Sequence, residues 1–84
     1  MFSKACEYGI RALVFIAQKS KEGNRLGIKE IASGVDSPAQ FMGKILTELS
    51  KKGLVLSAKG PHGGFYMDEK CLRATFADVV TAID

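Results

Sequence analysis

Between Leu49 and Met67 the chain reads LSKKGLVLSAKGPHGGFYM, and no other stretch restricts the fold as much. Gly60-Pro61-His62-Gly63-Gly64 holds too many breakers for a helix or a strand, so it must be a turn. Before it, Leu54, Leu56 and Ala58 fall on one face of a strand, with Val55, Ser57 and Lys59 on the other. After it, Phe65, Tyr66 and Met67 supply a short returning strand. The stretch 54–67 therefore reads as a β-hairpin. Gly53 closes the helix in front of it, because a left-handed cap position costs glycine no steric penalty.

Helices precede the hairpin. Ser3 can cap a first helix over about Lys4 to Lys19. Its polar stripe is narrow: Glu7, Arg11 and Gln18, with Glu7 and Arg11 spaced for an ion pair. Ala5, Tyr8, Gly9, Ile10, Ala12, Leu13, Phe15, Ile16 and Ala17 make the rest apolar, which predicts a helix buried by its neighbours. A polar loop, Ser20 to Arg25, leads to a short strand at Leu26-Gly27-Ile28 and a brief helix over Lys29 to Ser33, stopped at Gly34. Ser37-Pro38-Ala39-Gln40 then has the form of a capping box with proline at the first helical position. The helix it opens runs to about Lys52. Phe41, Met42, Ile45, Leu46 and Leu49 fall on one arc; Gln40, Gly43, Lys44, Thr47 and Lys51 fall on the other, with Glu48 at its edge. Beyond the hairpin, Asp68 to Arg73 reads as a connection. Thr75 with Asp78 opens a closing helix with Val79, Val80 and Ile83 inward.

A short helix, a turn and a long helix make a helix-turn-helix, and a hairpin directly after it is the order of a winged helix. The expected fold is mainly α with a small β-hairpin (α+β): helix-helix-helix-wing-helix, one domain over residues 1–84. The length suits one small core. Twelve Lys and Arg against nine Asp and Glu give a net charge of +3, a mild bias compatible with a polyanion. Cys6 and Cys71 have no metal or disulfide spacing and read as small apolar residues in a reducing compartment. No apolar run reaches the length of a membrane span and no secretion signal opens the chain, so a cytoplasmic location is expected.

Enzymatic chemistry finds no support. There is one histidine, with no Cys-His or Ser-His-Asp set that can be placed together. The glycines at 60, 63 and 64 lie between two strands, not between a strand and a helix, so no phosphate-cradling loop applies. Double-stranded DNA fits better. The major groove admits an α-helix, and the polar face from Gln40 to Lys51 has the width to enter it. Ser37 and Gln40 can bond base edges or phosphates, Lys44 a guanine or a phosphate, and Thr47 and Lys51 the sugar-phosphate wall. Lys59, Gly60 and His62 form a basic hairpin tip of small bulk that can approach a phosphate or the minor groove. Ser3 and Lys4 are candidates for a further phosphate contact. Each feature has a plainer reading: a polar helix face is usually a solvated face, Lys51 and Lys52 complement a helix C-terminus, and the turn needs its glycines. A protein-contact module using the same polar face is the alternative. A redox sensor through Cys6 or Cys71 is a more distant one.

The residues also resemble a family. Ser3-Lys4, Tyr8-Gly9-Ile10-Arg11-Ala12-Leu13, Ile28 to Ala32, Phe41 to Leu49, Lys52-Gly53-Leu54-Val55, Ser57 to Met67 with its G-x-x-G-G-aromatic pattern, and Thr75 to Val80 with Ala82-Ile83 are similar to the IscR/NsrR-type (Rrf2) winged-helix transcription factors of bacteria. The resemblance implies a cytoplasmic DNA-binding repressor or activator, acting as a homodimer on a pseudo-palindromic operator. It assigns base reading to Ser37, Gln40 and Lys44, and minor-groove or phosphate contact to Lys59, where many members carry Arg. Family members continue into a long dimerisation helix, where sensing members carry three cysteines for an iron–sulfur cluster. Cys6 and Cys71 do not occupy those positions, so no cofactor is expected in this chain.

Overall fold

The computed structural model describes residues 3–61, 63–73 and 78. Among them, three helices come first: α1 (Lys4–Ser20), α2 (Ile28–Val35) and α3 (Ala39–Lys51). Strands β1 (Leu56–Ala58) and β2 (Gly64–Tyr66) follow, then a short helix, α4 (Glu69–Leu72). The order is that of a winged helix-turn-helix, mainly helical with one two-stranded antiparallel sheet.

α1 starts where a cap was expected. The Ser3 hydroxyl accepts the Cys6 N–H at 3.1 Å. Cys6, Gly9, Ala12, Leu13 and Ile16 are buried, but Tyr8, Ile10, Phe15 and Ala17 are only half-buried and Val14 is 54% exposed. The helix thus buries one stripe, not most of its circumference. Glu7 pairs one turn back with Lys4, at 3.7 Å, and not with Arg11.

α2 is longer than the stretch Lys29 to Ser33. Glu30 Oε1 accepts the Gly27 N–H at 3.2 Å, which caps its start. Gly34 does not stop it. The helix ends at Asp36, whose φ is 57° and ψ 55°. Gly34 serves packing instead: a Cβ there would lie 2.5 Å from Phe15 Cζ, so the ring of α1 rests where only hydrogen fits.

The expected capping box at Ser37 is not formed. The cap residue of α3 is Pro38, with no side-chain cap bond, and the Ser37 hydroxyl is buried with no partner among the described residues. A proline holds an extended entry into the helix by ring geometry alone. Met42, Ile45, Leu46 and Leu49 are buried as their arc predicts, Phe41 of the same arc is only half-buried, and Lys52 with Gly53 (φ 74°) ends the helix. Ile16 of α1, Ile31 of α2 and Met42, Leu46 and Leu49 of α3 are fully buried together with Val55. The three helices close around that group.

The hairpin pairs Leu56 with Tyr66, Ser57 with Phe65 and Ala58 with Gly64. Its strands are shorter than the alternation suggested. Leu54 and Val55 are both buried, because they cross the bottom of the core before the ladder begins. Met67 lies past β2, where its N–H donates to Ser20 Oγ at 2.9 Å and ties the sheet to the end of α1. The strand expected at Leu26-Gly27-Ile28 is a single bridge: Leu26 exchanges both backbone bonds with Phe65, at 2.9 and 2.7 Å, and Ile28 already belongs to α2. The stretch Asp68 to Arg73 is not a plain connection, since Asp68 caps α4 by accepting the Cys71 N–H at 2.9 Å. Thr75, Val79, Val80 and Ile83, expected in a closing helix, lie outside the described residues.

Candidate nucleic-acid interface

The amphipathic split of α3 is the basis of the interface. With Met42, Ile45, Leu46 and Leu49 committed to the core, the helical period turns Gln40, Lys44, Thr47 and Lys51 to solvent. Gln40, Phe41 and Lys44 line one surface pocket, so an amide and an ammonium group flank a half-buried aromatic ring. Gly43 lies between them in the chain, and a Cβ there would be in ordinary van der Waals contact with Ile28 Cδ1 of α2, at 4.0 Å.

Farther along, the side chains are more committed. The Thr47 hydroxyl donates to the Gly43 carbonyl at 2.8 Å, leaving its lone pairs outward. Lys51 is 3.7 Å from Glu48, with both side chains at least half exposed. Such a pair is weak, roughly 0–1 kcal/mol, so a phosphate can compete for the lysine. Ser37 differs from its expected role: its hydroxyl is enclosed and is not presented to a base edge.

The start of α1 adjoins the start of α3. Tyr8 meets Phe41 edge-on, with ring centres 5.4 Å apart at 79°. Lys4 Nζ lies 6.0 Å from the centre of the Tyr8 ring and 3.7 Å from Glu7. Lys4, Tyr8, Phe41 and Lys44 thus form a continuous run across two helices. Ser3 is exposed but its hydroxyl is engaged in the cap.

Lys59 and Gly60 belong to a separate element, the hairpin turn, and both are exposed. Gly63 N–H donates to the Gly60 carbonyl at 2.9 Å and closes the turn. Gly64 fixes how the hairpin sits on the body. Its φ is 141°, and a Cβ would lie 2.8–2.9 Å from the backbone O, C and N of Leu26. His62 lies outside the described residues.

One cation beside the wing was not singled out by its place in a polar loop. Arg25 lies over the Tyr66 ring, 5.0 Å from guanidinium carbon to ring centre. The Leu26–Phe65 bridge creates that contact by aligning the neighbouring residues. Nothing local in the sequence signals it.

The two thiols lie inside. Cys6 is 0% and Cys71 3% exposed, and Cys71 Sγ–H donates to the Gly53 carbonyl at 3.4 Å. Burial pushes the Cys71 thiol up from its ordinary value. No helix among the described residues is long and apolar enough to cross a membrane.

A family model described as "Iron-dependent Transcriptional regulator" (Rrf2) matches residues 2–84. A protein of Aquifex aeolicus described as a putative HTH-type transcriptional regulator is 34% identical over 80 residues, which are 95% of this chain and 54% of that protein. A putative rrf2-like HTH-type transcriptional regulator of Rhodobacter capsulatus is 29% identical, over 100% of this chain and 57% of its own. The chain therefore spans about half the length of the curated relatives it matches. Among solved structures, CymR (YrzC), described as the global cysteine regulator of B. subtilis, superposes with a TM-score of 0.89 at 23% identity, over all of this chain and 64% of that one. T. potens IscR does so with 0.89 at 24% identity, over all of this chain and 61% of its own. These two likenesses carry the fold, and the family match carries the lineage. By its sequence from residue 2 to 84 and by its winged helix-turn-helix, this chain belongs to the Rrf2 family of transcriptional regulators.

Proposed function

We propose that the chain binds double-stranded DNA with sequence preference and regulates transcription, as a repressor, from the cytoplasm. In this reading α3 enters the major groove with Gln40 and Lys44 at base edges, and Thr47 and Lys51 lie along the backbone. Lys59 and Gly60 meet a phosphate or the minor groove, with Lys4 on a flanking phosphate. The carrying observation is the start of α3. Gln40 and Lys44 share one exposed pocket on a helix whose Met42, Ile45, Leu46 and Leu49 are buried, so the helix is backed by the core and its readers face out. Two chains act together on an inverted repeat.

In this reading the chain holds no resident cofactor. The described residues do not fit the iron–sulfur cluster that the family resemblance raises: no group of three His, Cys, Asp or Glu side chains converges among them, and both thiols are enclosed singly. Nor does the reading include catalysis, in keeping with relatives described as transcriptional regulators.

Salt dependence of Lys59→Ala tests the wing. If Lys59 neutralises one phosphate, the variant binds every duplex more weakly and its log–log salt slope falls by about 1. An unchanged slope removes the wing from the interface. Equal affinity for all duplexes, with a strong response to an acidic protein surface instead, replaces DNA as the partner.

A further inference from the structure

A second cationic surface lies between the end of α1 and the outer face of α2. Phe15, Lys19, Asn24, Arg25, Leu26, Lys29, Glu30, Ser33 and Gly34 line a groove of about 710 Å³. Three of its walls are positive, and Lys19, Arg25 and Lys29 have no carboxylate within 4.0 Å among the described residues. Its lining holds one acid, Glu30, whose Oε1 accepts the Gly27 N–H at 3.2 Å, so three cations face one carboxylate. Phe15 forms an apolar wall, with Lys19 Nζ 5.9 Å from its ring centre, and Gly34 leaves room for that ring.

Arg25 gives the groove a fixed element. Its guanidinium carbon lies over the Tyr66 ring, 5.0 Å from the ring centre, and that cation–π contact restrains the side chain. A held guanidinium edge matches a carboxylate or phosphate with two parallel bonds, and flexible lysines on either side add charge without fixed geometry. The groove uses none of Gln40, Lys44 or Lys59. It is separate from the proposed DNA surface, and it is too small for a duplex.

We propose that this groove binds a small organic dianion with an apolar or aromatic body: one anionic group on the Arg25 edge, the second between Lys19 and Lys29, and the body on Phe15. The ligand class is thus a dicarboxylate or an organic phosphate. The site stands independently of the DNA reading. Its occupant would touch Leu26 and Arg25, both joined to β2, and Lys29, one residue from the Ile28 that meets Gly43 of α3.

The test is titration of the ¹⁵N-labelled chain with phthalate, with malonate as a dianion lacking an aromatic body and benzoate as a monoanion. The expected result is saturable movement of the amides of residues 19, 24–26, 29 and 33 by phthalate, in the millimolar range or below. Malonate should bind more weakly, and benzoate more weakly still. Arg25→Lys, which keeps the charge and loses the fork, should raise the phthalate Kd about tenfold, a factor typical of a lost bidentate contact. Lys29→Ala should raise it as well, while both variants keep the wild-type spectrum elsewhere. Shifts that fail to saturate by about 10 mM, or that centre on α3 and the hairpin, overturn the proposal. So does a duplex that competes with phthalate at residues 19–33, which would make the groove part of the DNA surface. Failure of the chain to bind any duplex leaves the titration as it stands and refutes the DNA reading alone.

Discussion

Replacing Gly64 by Ala should uncouple the wing from the helical body. Two costs act at this position. The φ of 141° is a conformation that residues with a Cβ rarely adopt, and holding one there costs about 1–3 kcal/mol. In addition, the new methyl would lie 2.8–2.9 Å from three backbone atoms of Leu26. Backbone cannot rotate aside as a side chain can, so the Leu26–Phe65 bridge must open, with its two bonds of 2.9 and 2.7 Å. Each such bond contributes roughly 0.5–1.5 kcal/mol net. Together the loss is about 2–6 kcal/mol, a large part of the roughly 5–15 kcal/mol that holds a typical domain. Gly60→Ala separates the two costs. Gly60 has φ 100° but nothing within 4 Å of its Cβ position, so it carries conformational strain alone. Urea unfolding followed by circular dichroism should show both variants destabilised, with Gly64→Ala worse by at least about 1 kcal/mol. Equal losses would show that the Leu26 contact has no energetic consequence. A loss at Gly64 below about 0.5 kcal/mol would refute the reasoning on strain as well.

Leu49→Ala should lower the unfolding free energy by about 2–5 kcal/mol, because Leu49 is fully enclosed between the helices; a small loss in the same urea titration would mean that the α3 face is assigned wrongly. Lys44→Ala should relax sequence preference at one base position while leaving stability within about 0.5 kcal/mol, since its side chain is exposed; binding preferences read over single-base operator variants decide this. Asp68 supplies a pH dependence. The Cys71 N–H, bonded to its carboxylate, holds the Asp68 carboxyl below its ordinary value of 3.8. A depressed folded value means that the stabilisation is complete above the unfolded value and is lost as pH falls through the folded one. Asp68→Ala should therefore be less stable than the parent at about pH 5, with the gap closing as pH falls below the ordinary value of 3.8; a gap constant with pH would show that the carboxylate charge plays no part.

The parts of this fold that repeat locally were legible in the sequence. α1 and α3 follow from helical periodicity and their ends from Ser3 and Gly53, because capping and amphipathicity are encoded within a few residues. The hairpin follows from the glycine turn. Where the reading went astray, a contact between distant residues decided the outcome. Gly34 looked like a helix stop, yet its small size answers to Phe15 of another helix. Ser37 looked like a cap, but Pro38 sets the entry to α3 and the hydroxyl is folded inward. Leu54 and Val55 looked like alternating strand residues, and both are buried because the ladder begins only at Leu56. The polar face of α3 was readable, including Gln40 and Lys44. The Arg25–Tyr66 stack was not, since only the Leu26–Phe65 pairing brings the two together.

The most direct measurement is a selection of bound duplexes from a random DNA pool, with sedimentation of the free chain alongside. The account predicts an enriched inverted repeat whose half-sites lie about one helical turn apart, bound by two chains. Recovery of no preferred sequence, with binding lost at moderate salt, would contradict it and leave only nonspecific attraction of a mildly basic surface for a polyanion.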